Sequence, residues 1–217
     1  SRIELGEGNL MSAGEFIEIA ESMGKIHLLD YIVMDKAFAH AQDVGYQGLL
    51  FINLSPRAVV VGDFLRRVKE MAEAHQIEPG KVVFEITERD SVKSLSVLEQ
   101  FVLNLKDYGF KLAIDDFGSG FSSFHYLKHF PIDFVKIEGE FIANMANDHR
   151  DMAFVNSIAQ LSQQLKVETV AEFVESQEVL DMVQKAGITY AQGYHIGRPA
   201  REIKVNLASE QEAETIT

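Results

Sequence analysis

Six short apolar runs of strand character punctuate this chain, and each ends in a polar residue: Asn53, Glu85, Asp115 followed by Asp116, Lys136, Glu172 and Gln192. The runs are Leu49 to Asn53, Lys81 to Thr87, Phe110 to Asp115, Asp133 to Ile137, Val167 to Ala171 and Ile188 to Gln192. Their near-continuous Val, Ile, Leu and Phe content is that of strands buried on both faces. Between them, Phe64 to His75, Leu95 to Tyr108, Ala153 to Leu165 and Glu178 to Lys185 carry apolar residues at helical spacing. Two helices precede the first strand. Ser12-Ala13-Gly14-Glu15 has capping-box spacing ahead of Phe16, Ile17 and Ile19, so one helix runs from there to Gly24, and a second covers Ile26 to Gln42. Ser55-Pro56, Pro79-Gly80 and Gly109 close elements, and a loop with a short helix joins the third and fourth strands. The polar stretch 206–217 predicts a loose tail, so we expect a domain over 1–203 and a tail over 204–217.

The order ααβαβαβαβαβαβ predicts an α/β fold of parallel strands joined by right-handed crossovers. An open doubly wound sheet and part of an eight-stranded TIM-like (β/α) barrel both fit. The polar ending on every strand favours the barrel, because an open sheet binds at one switch point and needs only two or three such ends. Two strands would then be missing ahead of residue 1.

Bulk composition narrows the class. The 217 residues are 47% hydrophobic, which suits one globular domain with a substantial core. No apolar stretch reaches the roughly 18 residues of a spanning helix, so no membrane contact is expected. A net charge of −13 disfavours a DNA or RNA duplex as partner, because tracking phosphates needs a basic surface. The absence of cysteine excludes disulfides, thiolate zinc and cysteine nucleophiles, and fits a reducing, cytoplasmic location. Opening on Ser1, the chain reads as a piece of a longer protein or a processed one.

Asp115-Asp116 is the sharpest chemical feature. On a strand the two side chains would face opposite ways, but at a strand end the backbone turns and both carboxylates reach one site. Charges held that close call for cations, and two divalent ions bridged by a carboxylate suit phosphodiester hydrolysis. Taken alone, the pair could equally be a helix N-cap followed by an exposed Asp. The following Phe117-Gly118-Ser119-Gly120-Phe121-Ser122-Ser123 reads as a gating loop or an ordinary βα turn. Glu85 at a strand end suits a metal, and Glu88 could anchor a neighbouring loop. Lys136 closes an apolar strand, where its ammonium needs an anionic partner. Asn53 offers a neutral oxygen. Asp116-Phe117-Gly118 and His149-Arg150-Asp151 imitate kinase fragments in reversed order, and His125 with His129 lacks the Glu of a zinc-protease helix.

Together, Asn53-Leu54-Ser55-Pro56, Glu85-Ile86-Thr87-Glu88, Asp115-Asp116-Phe117-Gly118-Ser119-Gly120, Val135-Lys136-Ile137, Ala171-Glu172-Phe173-Val174-Glu175 and Gln192-Gly193-Tyr194 resemble the EAL-domain family, in order over residues 2 to 200. The resemblance implies a modified TIM barrel with one antiparallel strand that hydrolyses bacterial cyclic di-GMP to linear pGpG, using two Mg²⁺ or Mn²⁺ ions. By that resemblance, Asn53, Glu85 and Asp115 hold the first metal. Asp115 bridges to a second metal that Asp116 shares, and Glu172 is a further metal-site or general-base carboxylate. Lys136 looks like the residue that orients or activates water, so Lys136, Glu172 and Asp116 are the catalytic candidates. Arg2 and Gln192 match substrate-binding positions, and Glu88 with Glu175 the anchors of the loop at 117–123. The family also implies a homodimer and an upstream sensor or diguanylate cyclase domain.

Three departures qualify the match. The Glu of the family's Glu-Ala-Leu motif would lie just before Ser1, so this chain by itself should hold metal poorly and hydrolyse slowly if at all, and open barrel edges should favour strand exchange. Phe173 stands where Gly is usual, and Glu138 where Asp is usual. The alternative to an enzyme is an inactive EAL domain serving as a cyclic di-GMP receptor or regulatory interaction module.

Overall fold

The structure, a computed structural model, describes residues 2–5, 9–87, 95–118, 123–200 and 203. It opens on an antiparallel hairpin of β1 (Arg2–Leu5) and β2 (Asn9–Ser12), followed by α1 (Ala13–Ser22) and α2 (Ile26–Asp43). The remaining order is β3 (Leu50–Asn53), α3 (Pro56–Val59), α4 (Phe64–Ala74), a 3₁₀ turn (Pro79–Lys81), β4 (Val82–Thr87), α5 (Leu95–Asp107), β5 (Lys111–Phe117) and α6 (Ser123–His129). Then come β6 (Phe134–Ile137), α7 (Gly139–Asn144), α8 (His149–Leu165), β7 (Glu168–Ala171), α9 (Gln177–Lys185) and β8 (Tyr190–Ala191).

All six expected strands form, and they pair parallel in the order β3-β4-β5-β6-β7-β8. This is the curled α/β sheet of a TIM-like barrel. Among the described residues β3 and β8 do not pair, and the β1–β2 hairpin is a separate sheet. The sequence reading had no strand in this hairpin. Its alternation Arg2-Ile3-Glu4-Leu5 ahead of Gly6-Glu7-Gly8 was the available signal.

Pleating explains why the polar strand ends converge. Phe84 and Leu112 point outward to the main core beneath the helices, with Phe64, Phe101, Leu105 and Phe110. Val83, Ala113, Phe134 and Val170 form a second, inner core with Leu49. Asn53, Glu85, Asp115, Lys136, Glu172 and Gln192 each sit two positions beyond Phe51, Val83, Ala113, Phe134, Val170 and Tyr190. Period two therefore places them on the inner face at the C-terminal mouth. The inner residues form its floor: Phe134 meets Phe51 edge-on at 5.1 Å, and Tyr190 lies at 6.1 Å.

Helix ends follow local chemistry. Gly24 stops α1 at φ +65°, Asp148 caps α8 by accepting from the Arg150 N–H, and Ser176 caps α9 by accepting from the Val179 N–H. His149-Arg150-Asp151 is thus the first turn of α8, which starts four residues earlier than its apolar period suggested. His125 and His129 are exposed on α6 with ring centroids 4.3 Å apart. The side chains of Ser12 and Glu15, the tail at 204–217 and residues 119–122 of the loop lie outside the described residues.

Candidate metal centre

Lys136 is the hub of the mouth. Its Nζ lies 2.9 Å from Glu85, 2.8 Å from Asp115 and 3.0 Å from Glu172, with its side chain only 7% exposed. β4, β5 and β7 each deliver one carboxylate, and β6 delivers the ammonium. Gln192 donates from Nε2 to Glu172 Oε1 at 2.6 Å, the same oxygen that Lys136 approaches. Asn53 is the register partner of Glu85, so it stands beside it at the rim with an exposed side chain.

Asp116 reaches the site by a different route from the one expected. β5 does not end at Asp115 but continues to Phe117, and a register shift against β6 falls between Ile114 and Phe117. Asp116 adopts φ +52°, the left-handed conformation that Asp tolerates better than most residues. The bulge turns the carboxylate from the outer face to the mouth. One oxygen each from Asp115, Asp116 and Glu172 then lie within 4.8 Å of one another. All three donors are carboxylate oxygens, the chemistry that hard divalent cations take.

Charge is unbalanced here, with Glu85, Asp115 and Glu172 sharing one ammonium and Asp116 beside them. Burial pushes the Glu85 carboxyl above its ordinary range, Lys136 draws it back, and the charge on Asp115 adds to the rise. Glu172 is raised in the same way, by burial and then by Asp115 against the pull of Lys136. For Lys136 burial acts downward, but Glu85, Asp115 and Glu172 outweigh it and hold the ammonium well above the ordinary lysine value. A divalent cation would neutralise the excess. The donor set fits one.

The other sequence candidates are placed less closely. Glu175 is exposed in the segment between β7 and α9, and Arg2 pairs with Ser12 in the hairpin. Glu88 lies outside the described residues. The sequence reading missed Asp30, a carboxylate on the apolar face of α2 that is 9% exposed and accepts a 2.5 Å hydrogen bond from Ser55 Oγ. That bond ties the segment just after Asn53 to α2. Its signal was a lone Asp among Ile26, Tyr31, Met34 and Phe38, which requires a partner.

A curled parallel α/β sheet with a carboxylate cluster at its C-terminal mouth defines a TIM-like barrel with a candidate metal centre. The EAL domain family matches residues 1–199, and the chain belongs to it. It is 37% identical over 201 residues to cyclic di-GMP phosphodiesterase PdeB of Shewanella oneidensis, covering 91% of this chain and 24% of that protein. It is 33% identical to the bifunctional diguanylate cyclase/cyclic di-GMP phosphodiesterase MucR of Pseudomonas aeruginosa, covering 91% of this chain and 30% of that protein. The chain thus spans about a quarter of the length of its curated relatives. Among solved structures, the PaMucR phosphodiesterase in complex with c-di-GMP superposes at TM-score 0.82 and 30% identity, over 91% of this chain and 82% of that one. The Pseudomonas aeruginosa FimX EAL domain bound to c-di-GMP superposes at 0.84 and 26% identity, over 92% and 81%.

Proposed function

We propose that this EAL domain is a phosphodiesterase that hydrolyses cyclic di-GMP to linear pGpG in bacterial second-messenger signalling, with two Mg²⁺ or Mn²⁺ ions. The convergence of Asp115, Asp116 and Glu172 on one point beside Lys136 carries this reading. Asn53, Glu85 and Asp115 would hold one ion, Asp115 and Asp116 the other, with Glu172 at hand to either. When bound, such ions act as Lewis acids on a phosphoryl oxygen and lower the pKa of water.

The chain's own groups supply the rest. Lys136, kept charged by its three carboxylates, offsets negative charge developing on the phosphodiester and orients the attacking water. Glu172, hydrogen-bonded by Gln192, would accept a proton from that water. An acidic protein binds an anionic dinucleotide here through the ions, with no basic patch. Arg2 and Gln192 would contact the substrate, while Glu88 and Glu175 would steady the loop at 117–123.

The lengths of the relatives, and the diguanylate cyclase named in one of them, support a larger protein in which this domain joins a sensor or diguanylate cyclase module, and we propose that it is cytoplasmic and homodimeric. Among the described residues no helix is long and apolar enough to cross a membrane. The test is incubation of the protein with cyclic di-GMP and Mg²⁺ or Mn²⁺, with products separated by chromatography. Linear dinucleotide that disappears on Lys136→Ala or Glu172→Ala supports the reading. Tight binding without cleavage would make the domain a receptor.

A further inference from the structure

We propose that Asp30 is a positioning residue for the mouth: acting through Ser55, it holds the corner after β3 so that Asn53 presents its side-chain oxygen to a divalent cation at the carboxylate cluster. The inference rests on the reading above, in which Asn53 holds one ion, and adds a residue to which that reading gives no part.

Asn53 is secured differently from its neighbours. Glu85, Asp115 and Glu172 stand on strands paired on both sides and are tied to Lys136. Asn53 is exposed and ends β3, which among the described residues pairs on one side only, with β4. The Leu54 N–H donates to the Glu85 carbonyl at 2.9 Å, and the chain then leaves the sheet for α3 at Pro56. A strand end held from one side can swing, and the side chain it carries swings with it. The second hold comes from α2. Ser55 Oγ donates to Asp30 Oδ2 at 2.5 Å, the length of a charge-assisted bond. α2 is a firm base for it, with Met34 and Phe38 fully buried in the main core.

Two features mark this bond as made for the corner. Ser55 is the N-cap of α3, where a serine hydroxyl ordinarily accepts from an N–H of the first turn, yet it makes no such bond and turns to Asp30 instead. Asp30 is buried beside Ile26, Tyr31 and Met34 on α2, a costly place for a carboxylate. Burial raises its carboxyl above the ordinary aspartate value, so the charge works against folding. An apolar residue would pack there without that cost. What the carboxylate adds is a strong acceptor aimed at the residue two beyond Asn53. Hydrogen-bonded groups standing behind a metal site in this way commonly change metal affinity by roughly ten- to a hundred-fold.

The test measures the Mn²⁺ affinity of the folded protein by titration calorimetry and its urea midpoint in EDTA. Asp30→Leu and Ser55→Ala each remove the bond and should weaken Mn²⁺ binding roughly ten- to a hundred-fold. Asp30→Asn, whose amide oxygen still accepts from the Ser55 hydroxyl, should keep most of the affinity. In an Asn53→Ala background Asp30→Leu and Ser55→Ala should weaken binding no further, because no ligand is left to position. Should Asp30→Leu fail to fold, Ser55→Ala decides by the same comparison. A lower urea midpoint with wild-type Mn²⁺ affinity would show that the bond only braces the fold, and would overturn the inference. So would an equal further loss in the Asn53→Ala background, or a loss in Asp30→Asn as large as in Asp30→Leu. Each of these leaves the metal centre in place. Unchanged affinity in Asn53→Ala alone, or absence of Mn²⁺ binding by wild type, would instead refute the ligand set of the functional reading and the inference with it.

Discussion

Replacing Lys136 by Met keeps most of the apolar stem and removes the one ammonium that three carboxylates share at 2.8 to 3.0 Å. Breaking a buried pair typically costs about 3–5 kcal/mol, because the surviving charge is left uncompensated. An independent limit agrees. The folded variant can escape by protonating a carboxyl, and doing so at pH 7 from an ordinary glutamate value of about 4.3 costs about 3.7 kcal/mol at 1.36 kcal/mol per pH unit. Urea denaturation in EDTA at pH 7 should therefore show Lys136→Met less stable by about 3–4 kcal/mol. The sign of the pH dependence follows from the same groups. Glu85 and Glu172 are already raised in the folded protein, and loss of Lys136 raises them further. The folded variant then binds more protons than the unfolded chain above the ordinary glutamate range, so its deficit shrinks as pH falls from 7 toward that range. Saturating Mn²⁺ should recover about 2.7 kcal/mol at a hundred times its dissociation constant. A variant as stable as wild type in EDTA at pH 7 would refute the idea that the ammonium holds the carboxylates together. Cyclic di-GMP turnover by the variant would refute its chemical role.

Other changes probe separate parts of the argument. Glu172→Gln should keep the fold and lower Mn²⁺ affinity at least tenfold, measured by titration calorimetry; unchanged affinity would exclude Glu172 as a ligand. Burial raises the Asp30 carboxyl despite its hydrogen bonds from Ser55, so its charge opposes folding above the ordinary aspartate value. Asp30→Asn should thus raise the urea midpoint at pH 7, with the gain vanishing as pH falls below that value; a loss at pH 7 would show that the Ser55 bond needs the charge. Gly139→Ala should drive the Phe173 ring from its seat; a crystal structure of that variant with the ring unmoved would contradict the packing. Phe64→Ala removes a fully buried ring stacked on Tyr31 at 5.0 Å and should cost about 3–5 kcal/mol by thermal melting, without changing the metal affinity of the folded protein.

The six sheet strands and most helices were legible because burial on both faces writes a continuous apolar run and burial on one face writes a helical period. Elements with too few residues to show a period were not. α3 and α7 have 4 and 6 residues, below one full heptad, and Ser55-Pro56, read as a closure, starts α3. The mouth was legible as a set of strand ends, yet a sharper signal was present, since Glu85, Asp115, Lys136 and Glu172 each follow an inner-core residue by two. What the sequence withheld was the bulge: alternation assigns Asp116 to the outer face, and only the register shift against β6 brings it in. The pairing of Glu85 with Lys136 depends likewise on how far the sheet curls, which no local pattern states.

Backbone strain separates function from packing in this fold. Four non-glycine residues among those described have positive φ: Gln76, Asp116, Lys166 and Phe173. Lys166 caps α8, and Gln76 follows the His75 cap of α4, where a left-handed residue ends a helix in the ordinary way. Asp116 and Phe173 end no helix. Both stand at the C-terminal ends of barrel strands, Asp116 within the carboxylate cluster and Phe173 next in the chain to Glu172, and both use the left-handed turn to aim a side chain that alternation would have sent elsewhere. For Asp116 the conformation is tolerable and delivers a third ligand oxygen. For Phe173 it is costly, of order 1–3 kcal/mol, and delivers an exposed ring.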